Sequence, residues 1–201
     1  VVHVGILLVL ALTSSPGEAS AAGHLTAGAQ SFREGRYDVA LVEFRVAQAL
    51  GARDAGPYAA ATLVKLGRAE EAVEAFGPAE ESLDALLDYY RGVACYEARL
   101  YLCADRLLAA TGARAGPRIG GEVAKARAAI AAELASEPAP PTIDWYLSQC
   151  AERREAGRPV LAAAFCREAV GLSKRRADRY RLSEAATQLS SLSVQRRGTD
   201  R

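Results

Sequence analysis

The chain has 201 residues, half of them apolar, with 25 Lys/Arg against 24 Asp/Glu and a formal net charge of +1. That length and apolar share suffice for a sizeable core in one or two domains, and the near-zero charge excludes a molecule that binds polyanions with its whole surface. Abundant alanine with few aromatic residues favours helix throughout.

The opening stretch "VVHVGILLVLALTSSPGEASAAG" has an apolar run from Val4 to Leu12. It is the length of a signal h-region and far short of the ~20 residues that span a bilayer. Pro16 and Gly17 break the run, and Ala19-Ser20-Ala21 has the small–x–small form of a cleavage site. The expectation is an export signal over residues 1–21, with a periplasmic or secreted mature chain and no transmembrane segment. The n-region has no Lys or Arg, and the competing reading is a buried N-terminal helix.

Residues 22–111 repeat with a period of 32. "FREGRYDVALVEF" at 32–44 returns as "VKLGRAEEAVEAF" at 64–76 and "YEARLYLCADRLL" at 96–108. With Gly35, Gly67 and Arg99 as turn markers, the residue seven before is small: Gly28, Ala60, Gly92. Five after stands Ala40, Ala72 or Ala104; nine after stands Phe44, Phe76 or Leu108. Steps of i, i+4, i+7 put each set on one helical face. Turns at 35–37, 67–69 and 99–101 are then too short for anything but antiparallel pairs. The small residues let the backbones approach, and the bulky residue fills the wedge towards the next hairpin. One hairpin cannot bury both its sides, so the units must stack.

An insert follows over 112–142. It comprises a loop in "TGARAGPRIGG", a helix from about Gly121 to Leu134, and "SEPAPPT" as a stiff linker. Residues 143–201 hold a fourth hairpin, turning at 157–159, and a last amphipathic helix from Ala177 to Ser193. In the fourth hairpin Gly157 is the marker, Cys150 the close-approach residue, Ala162 the alanine and Cys166 the bulky one. Thr142 is its expected N-cap, with Trp145 one turn inside.

The pattern resembles the tetratricopeptide repeat family over 22–111, and "EGRYDVALVEFRVA" is close to that family's second-helix motif. Departures are the period of 32 rather than 34, and His24, Gly56 and Asp88 where the first helix usually carries Trp. The resemblance implies an all-α fold, a right-handed stack of antiparallel helical hairpins with C-terminal capping helices. It further implies that first helices line a concave groove holding a partner's peptide or helix. The groove residues would be Phe32, Val64, Tyr89, Val93 and Tyr96. The family's carboxylate-clamping basic and Asn residues have no match here, so an apolar groove is expected. The alternative is that the C-terminal helices fold back and fill it.

No catalytic constellation is present. His24 stands alone, there is no Gly-rich phosphate loop or nucleophile elbow, and the four cysteines lack metal-type spacing. Neither enzyme activity, nor a cofactor, nor a metal is expected. Cys95 and Cys103 lie four residues either side of Arg99, and Cys150 and Cys166 eight either side of Arg158. Residues equidistant from a hairpin turn sit level, so both pairs are candidate disulfides, as suits an exported protein. Buried thiols are the alternative. Charge is uneven: residues 1–142 hold 13 Lys/Arg and 17 Asp/Glu, whereas 143–201 hold 12 and 7. "SKRRADRYR" is the basic cluster, with only Tyr180 as an aromatic neighbour. A solvated turn is the first reading there. The first expectation for function is a non-enzymatic scaffold with a protein or peptide partner and no nucleic acid; the alternative is an anionic-ligand or nucleic-acid binder using the basic C-terminal third.

Overall fold

A computed structural model gives the fold and describes residues 16–78, 84–114, 116–135 and 141–199. These residues are all-helical, with no strand among them. The helices are α1 (Pro16–Arg33), α2 (Tyr37–Ala49), α3 (Ala55–Lys65), α4 (Ala69–Phe76) and α5 (Ala85–Glu97). They continue as α6 (Tyr101–Arg114), α7 (Pro117–Ala135), α8 (Ile143–Glu155), α9 (Pro159–Arg175) and α10 (Arg179–Thr199). Proline at the first position of α7 and α9 suits a site with no intrahelical donor to lose. The apolar run Val4–Leu12 lies outside the described residues, and α1 opens upstream of Ala19-Ser20-Ala21.

Four hairpins turn by one backbone device. Gly35, Gly67, Arg99 and Gly157 all take a positive φ, between 61° and 76°. Gly35 donates its N–H to Phe32 O at 3.1 Å and Arg36 donates to Ser31 O at 2.9 Å. The same two bonds recur after Gly67, Arg99 and Gly157, closing the orphan carbonyls of the first helix. A side chain in this region costs about 1 kcal/mol, so Arg99 holds its place against its own preference. Ala177, with φ 55°, turns α9 into α10 in the same way. The last residue of each expected turn window already opens the next helix.

The seams follow the repeat. A Cβ built on Gly28 would sit 2.8 Å from the Phe44 ring, and one on Gly92 would sit 2.8 Å from Leu108 Cγ. In the fourth hairpin the same registers are Cys150 and Cys166, whose Cα atoms are 5.3 Å apart. Ala40, Ala72, Ala104 and Ala162 are each 0% exposed. Two first-helix positions, His24 and Asp88, carry polar links: His24 Nδ1 meets Glu43 Oε2 at 2.7 Å, and buried Asp88 meets Arg114 at 2.5 Å.

From α1 to α7 each helix packs on the one before it, and α3 also meets α5. The loop expected over 111–121 contracts, because α6 runs to Arg114 and α7 begins at Pro117. Gly120 and Gly121 face open space, so their missing side chains leave no gap in the packing. Thr142 caps α8, accepting from Trp145 N at 3.1 Å. α10 packs on α8 and α9.

The fourth hairpin docks through α9 on α4 and α6. Two carboxylates interlock there. Glu74 of α4 accepts from Val160 N and Leu161 N at the start of α9, at 3.3 and 2.7 Å. Glu168 of α9 accepts from Leu102 N and Cys103 N at the start of α6, at 2.8 and 2.6 Å. Each carboxylate satisfies orphan donors at a helix N-terminus, where the dipole favours negative charge. Gly171 brings the helices close: a Cβ there would meet Leu102.

Candidate functional site

An apolar concavity of about 470 Å³ lies between α1, α3 and α5. Leu25, Ala29 and Phe32 of α1 form one wall, and Leu86, Leu87 and Tyr90 of α5 the other. Ala61 of α3 and Phe44 of α2 lie behind these walls, and Tyr58 of α3 lies at the rim. Local sequence explains these placements. Leu25, Ala29 and Phe32 are i, i+4, i+7 on α1, and Leu86 and Tyr90 are i, i+4 on α5. Asp84 sets the start of α5 by accepting from Leu86 N at 2.8 Å.

Aromatic rings brace the cleft. Phe32 meets Tyr37 and Tyr90 edge-on at 5.4 and 5.9 Å, and Phe44 stacks on Tyr58 at 5.7 Å. Lys65 Nζ lies 5.4 Å from the Tyr90 ring centre. Burial pushes the Tyr90 hydroxyl pKa up, with Tyr37 and Tyr89 adding to it. At the rim Tyr58 is 37% exposed and Leu86 44% exposed. Among the described residues none of the lining comes from α8, α9 or α10.

Of the five residues expected to line a groove, Phe32 does so. Val64 is buried in the core at 6% exposure. Tyr89, Val93 and Tyr96 are half-buried on α5 and are not among the residues that line the cleft. Tyr89 has Glu122 of α7 among its charged neighbours; burial first, then Glu122, raises its pKa. Tyr96 faces Tyr101 of α6 at 5.9 Å. Leu25, Tyr58, Leu86, Leu87 and Tyr90 are the lining residues that the sequence stripe did not include.

The cysteines fall in two pairs at disulfide distance: Cys95 with Cys103, Cα–Cα 6.0 Å, and Cys150 with Cys166, 5.3 Å. The second pair sits in the seam of α8 and α9, both residues nearly fully buried. "SKRRADRYR" forms the turn from α9 into α10. Within it Arg181 pairs with Asp144 and Glu184 at 2.8 and 3.0 Å, and Tyr180 is 74% exposed.

Glu70 joins the second hairpin to the fourth through Arg153 and Arg158, at 2.6 and 2.8 Å. Burial works to raise its pKa, but the two guanidiniums outweigh burial and hold it below the usual value. Tyr146 donates its hydroxyl to Arg99 O at 2.6 Å, and burial raises its pKa. Glu168 is 3% exposed, and burial raises its pKa to about 7 against the pull of the two backbone N–H groups. Among the described residues no group of three or more His, Cys, Asp and Glu is placed to hold a metal, and no helix is long and apolar enough to cross a membrane.

The comparisons identify no relative. The chain matches no family model, no curated protein and no solved structure.

Proposed function

We propose that this chain is an exported, non-enzymatic scaffold of tetratricopeptide-like hairpins. In this reading it holds an apolar peptide or amphipathic helix of a partner protein in the cleft between α1, α3 and α5. The observation that carries the proposal is the cleft itself: about 470 Å³, walled by Leu25, Phe32, Leu87 and Tyr90, with Tyr58 and Leu86 exposed at its rim. That volume falls in the range of pockets that hold ligands. The walls offer anchors for alternate apolar side chains of a docked segment, with Arg33 as a charged residue of the lining. The two cysteine pairs at disulfide distance support an oxidising compartment, as in the periplasm or outside the cell. The alternative, a polyanion binder using "SKRRADRYR", is weaker, because Arg181 already has two carboxylate partners.

The test is selection of displayed peptides on the purified chain, followed by counter-selection on Tyr58→Glu and Leu86→Glu. A hydrophobic consensus that binds the parent and is lost on both variants supports the proposal. Peptides that bind all three proteins equally, or a consensus rich in acidic residues and sensitive to salt, refute it.

A further inference from the structure

A cavity of about 210 Å³ lies where α9 docks on the first three hairpins, walled by α4, α5, α6 and α9. Cys95 and Cys103 both line it. We propose that this pair is a thiol-exchange site. A small thiol of the glutathione class enters the cavity, forms a mixed disulfide with Cys103 and reversibly opens the Cys95–Cys103 bond.

Access separates the two cysteine pairs. Cys150 and Cys166 are 1% and 0% exposed, locked in the α8–α9 seam, so no thiol reaches them while that hairpin is folded. Cys95 is 3% exposed, but Cys103 is only half-buried and sits on the cavity wall. The attacking sulfur therefore meets Cys103 and displaces Cys95. Exchange depends on which sulfur can be approached, and accessible disulfides are the labile ones. Cys103 also stands in the first turn of α6, where the helix dipole favours a thiolate. Glu168 accepts from Cys103 N, and burial puts its pKa at about 7. It is thus partly protonated at neutral pH and repels an incoming thiolate less than an ordinary carboxylate does.

The fold does not depend on this bond. The turn between α5 and α6 is closed by Arg99 N to Tyr96 O at 2.9 Å and Leu100 N to Cys95 O at 2.8 Å. Tyr146 holds Arg99 O, and Glu168 holds Leu102 N and Cys103 N. The cysteines are 8 residues apart, against 16 for the other pair. A short loop within a turn that is already closed adds little further constraint, so opening it leaves the hairpin standing.

The chemistry balances with the thiol as reductant. Its thiolate bonds to Cys103 Sγ, the Sγ–Sγ bond breaks, and Cys95 leaves with the electron pair and takes up a proton. A second thiolate attacks the thiol's own sulfur in the mixed disulfide, releasing a small disulfide and the Cys103 thiolate, which is protonated in turn.

The test equilibrates the oxidised full chain with reduced and oxidised glutathione over a series of ratios, followed by acid quench, alkylation and peptide mapping. Circular dichroism is recorded at each ratio. Cys95–Cys103 should open at a [GSH]²/[GSSG] value at least about tenfold lower than Cys150–Cys166, with the helical signal unchanged. With oxidised glutathione, Cys95→Ser should gain one adduct at Cys103, whereas Cys103→Ser should leave Cys95 unmodified. Opening of both pairs together, opening of Cys150–Cys166 first, or opening only as helix is lost overturns the proposal. So do free thiols at Cys95 and Cys103 under fully oxidising conditions, and equal adducts in the two variants. The measurement on the parent decides by itself if either variant fails to fold.

Discussion

Gly92→Ala tests the seam register with opposing terms of known sign. Alanine in the interior of α5 gains about 1 kcal/mol over glycine in helix propensity. The new Cβ, however, would lie 2.8 Å from both Cγ and Cδ2 of Leu108, which is 0% exposed. Overpacking of that kind costs about 1–3 kcal/mol. The net expectation is a loss of up to ~2 kcal/mol, where propensity alone predicts a gain. Gly121→Ala in α7 is the matched control, since nothing lies within 4 Å of its Cβ position. It should stabilise by about 1 kcal/mol. Urea unfolding followed by circular dichroism measures both, with the slope checked for constancy. Leu108→Ala alone should cost about 2–5 kcal/mol, and the double variant should cost less than the sum of the two singles. If Gly92→Ala stabilises as much as Gly121→Ala, Gly92 does not face Leu108 and the repeat register is wrong.

Two further outcomes follow from the fourth hairpin. Glu168 has a folded pKa of about 7, above its ordinary 4.5. The folded chain therefore keeps a proton that the unfolded chain has lost, and this contribution to stability is full below the unfolded value and lost as pH rises to the folded one. Thermal melts of the parent and Glu168→Gln across pH 5 to 8 should diverge, the variant gaining on the parent as pH rises, by on the order of 3 kcal/mol at most; a constant offset refutes the assignment. Cys150 and Cys166, 16 residues apart and 5.3 Å between Cα atoms, should appear as one linked peptide in a non-reducing digest of protein made in an oxidising compartment. Reduction should then cost about 3 kcal/mol in the chain-entropy model, and free thiols at both positions would remove the staple.

The hairpins were legible because their seams demand small residues at fixed spacing, and side chains meet there regardless of distant contacts. Gly28 with Phe44 and Gly92 with Leu108 need nothing beyond their own helix pair. Arg99 stood in the glycine register by spacing alone, and it takes the glycine conformation. Other features depended on packing that no local pattern records. α5 has one broad apolar face, on which Leu86 and Tyr90 adjoin the stripe Tyr89, Val93, Tyr96. The edge of that face carrying Leu86 and Tyr90 borders the cleft because α1 and α3 lie on that side. Phe32 and Tyr90 in contact at 5.9 Å mark that face, but the two residues are 58 positions apart in sequence. The Glu74 and Glu168 caps are likewise long-range, joining residues up to 87 positions apart. Glycine and proline in "TGARAGPRIGG" read as loop, whereas Pro117 starts a helix and the glycines of α7 lie on its open face.

The claim that matters most is that the cleft between α1, α3 and α5 receives a partner segment. A photo-reactive amino acid placed at Leu86, on the rim, tests it when compared with one at Val42, 59% exposed on α2 and absent from the cleft lining. Both proteins would be made in their native cells, irradiated and resolved by mass. A discrete adduct from Leu86, absent from Val42 and lost when Tyr58→Glu is added, is the predicted result. Equal adducts from both positions, or none from Leu86 while Val42 gives one, would contradict the account.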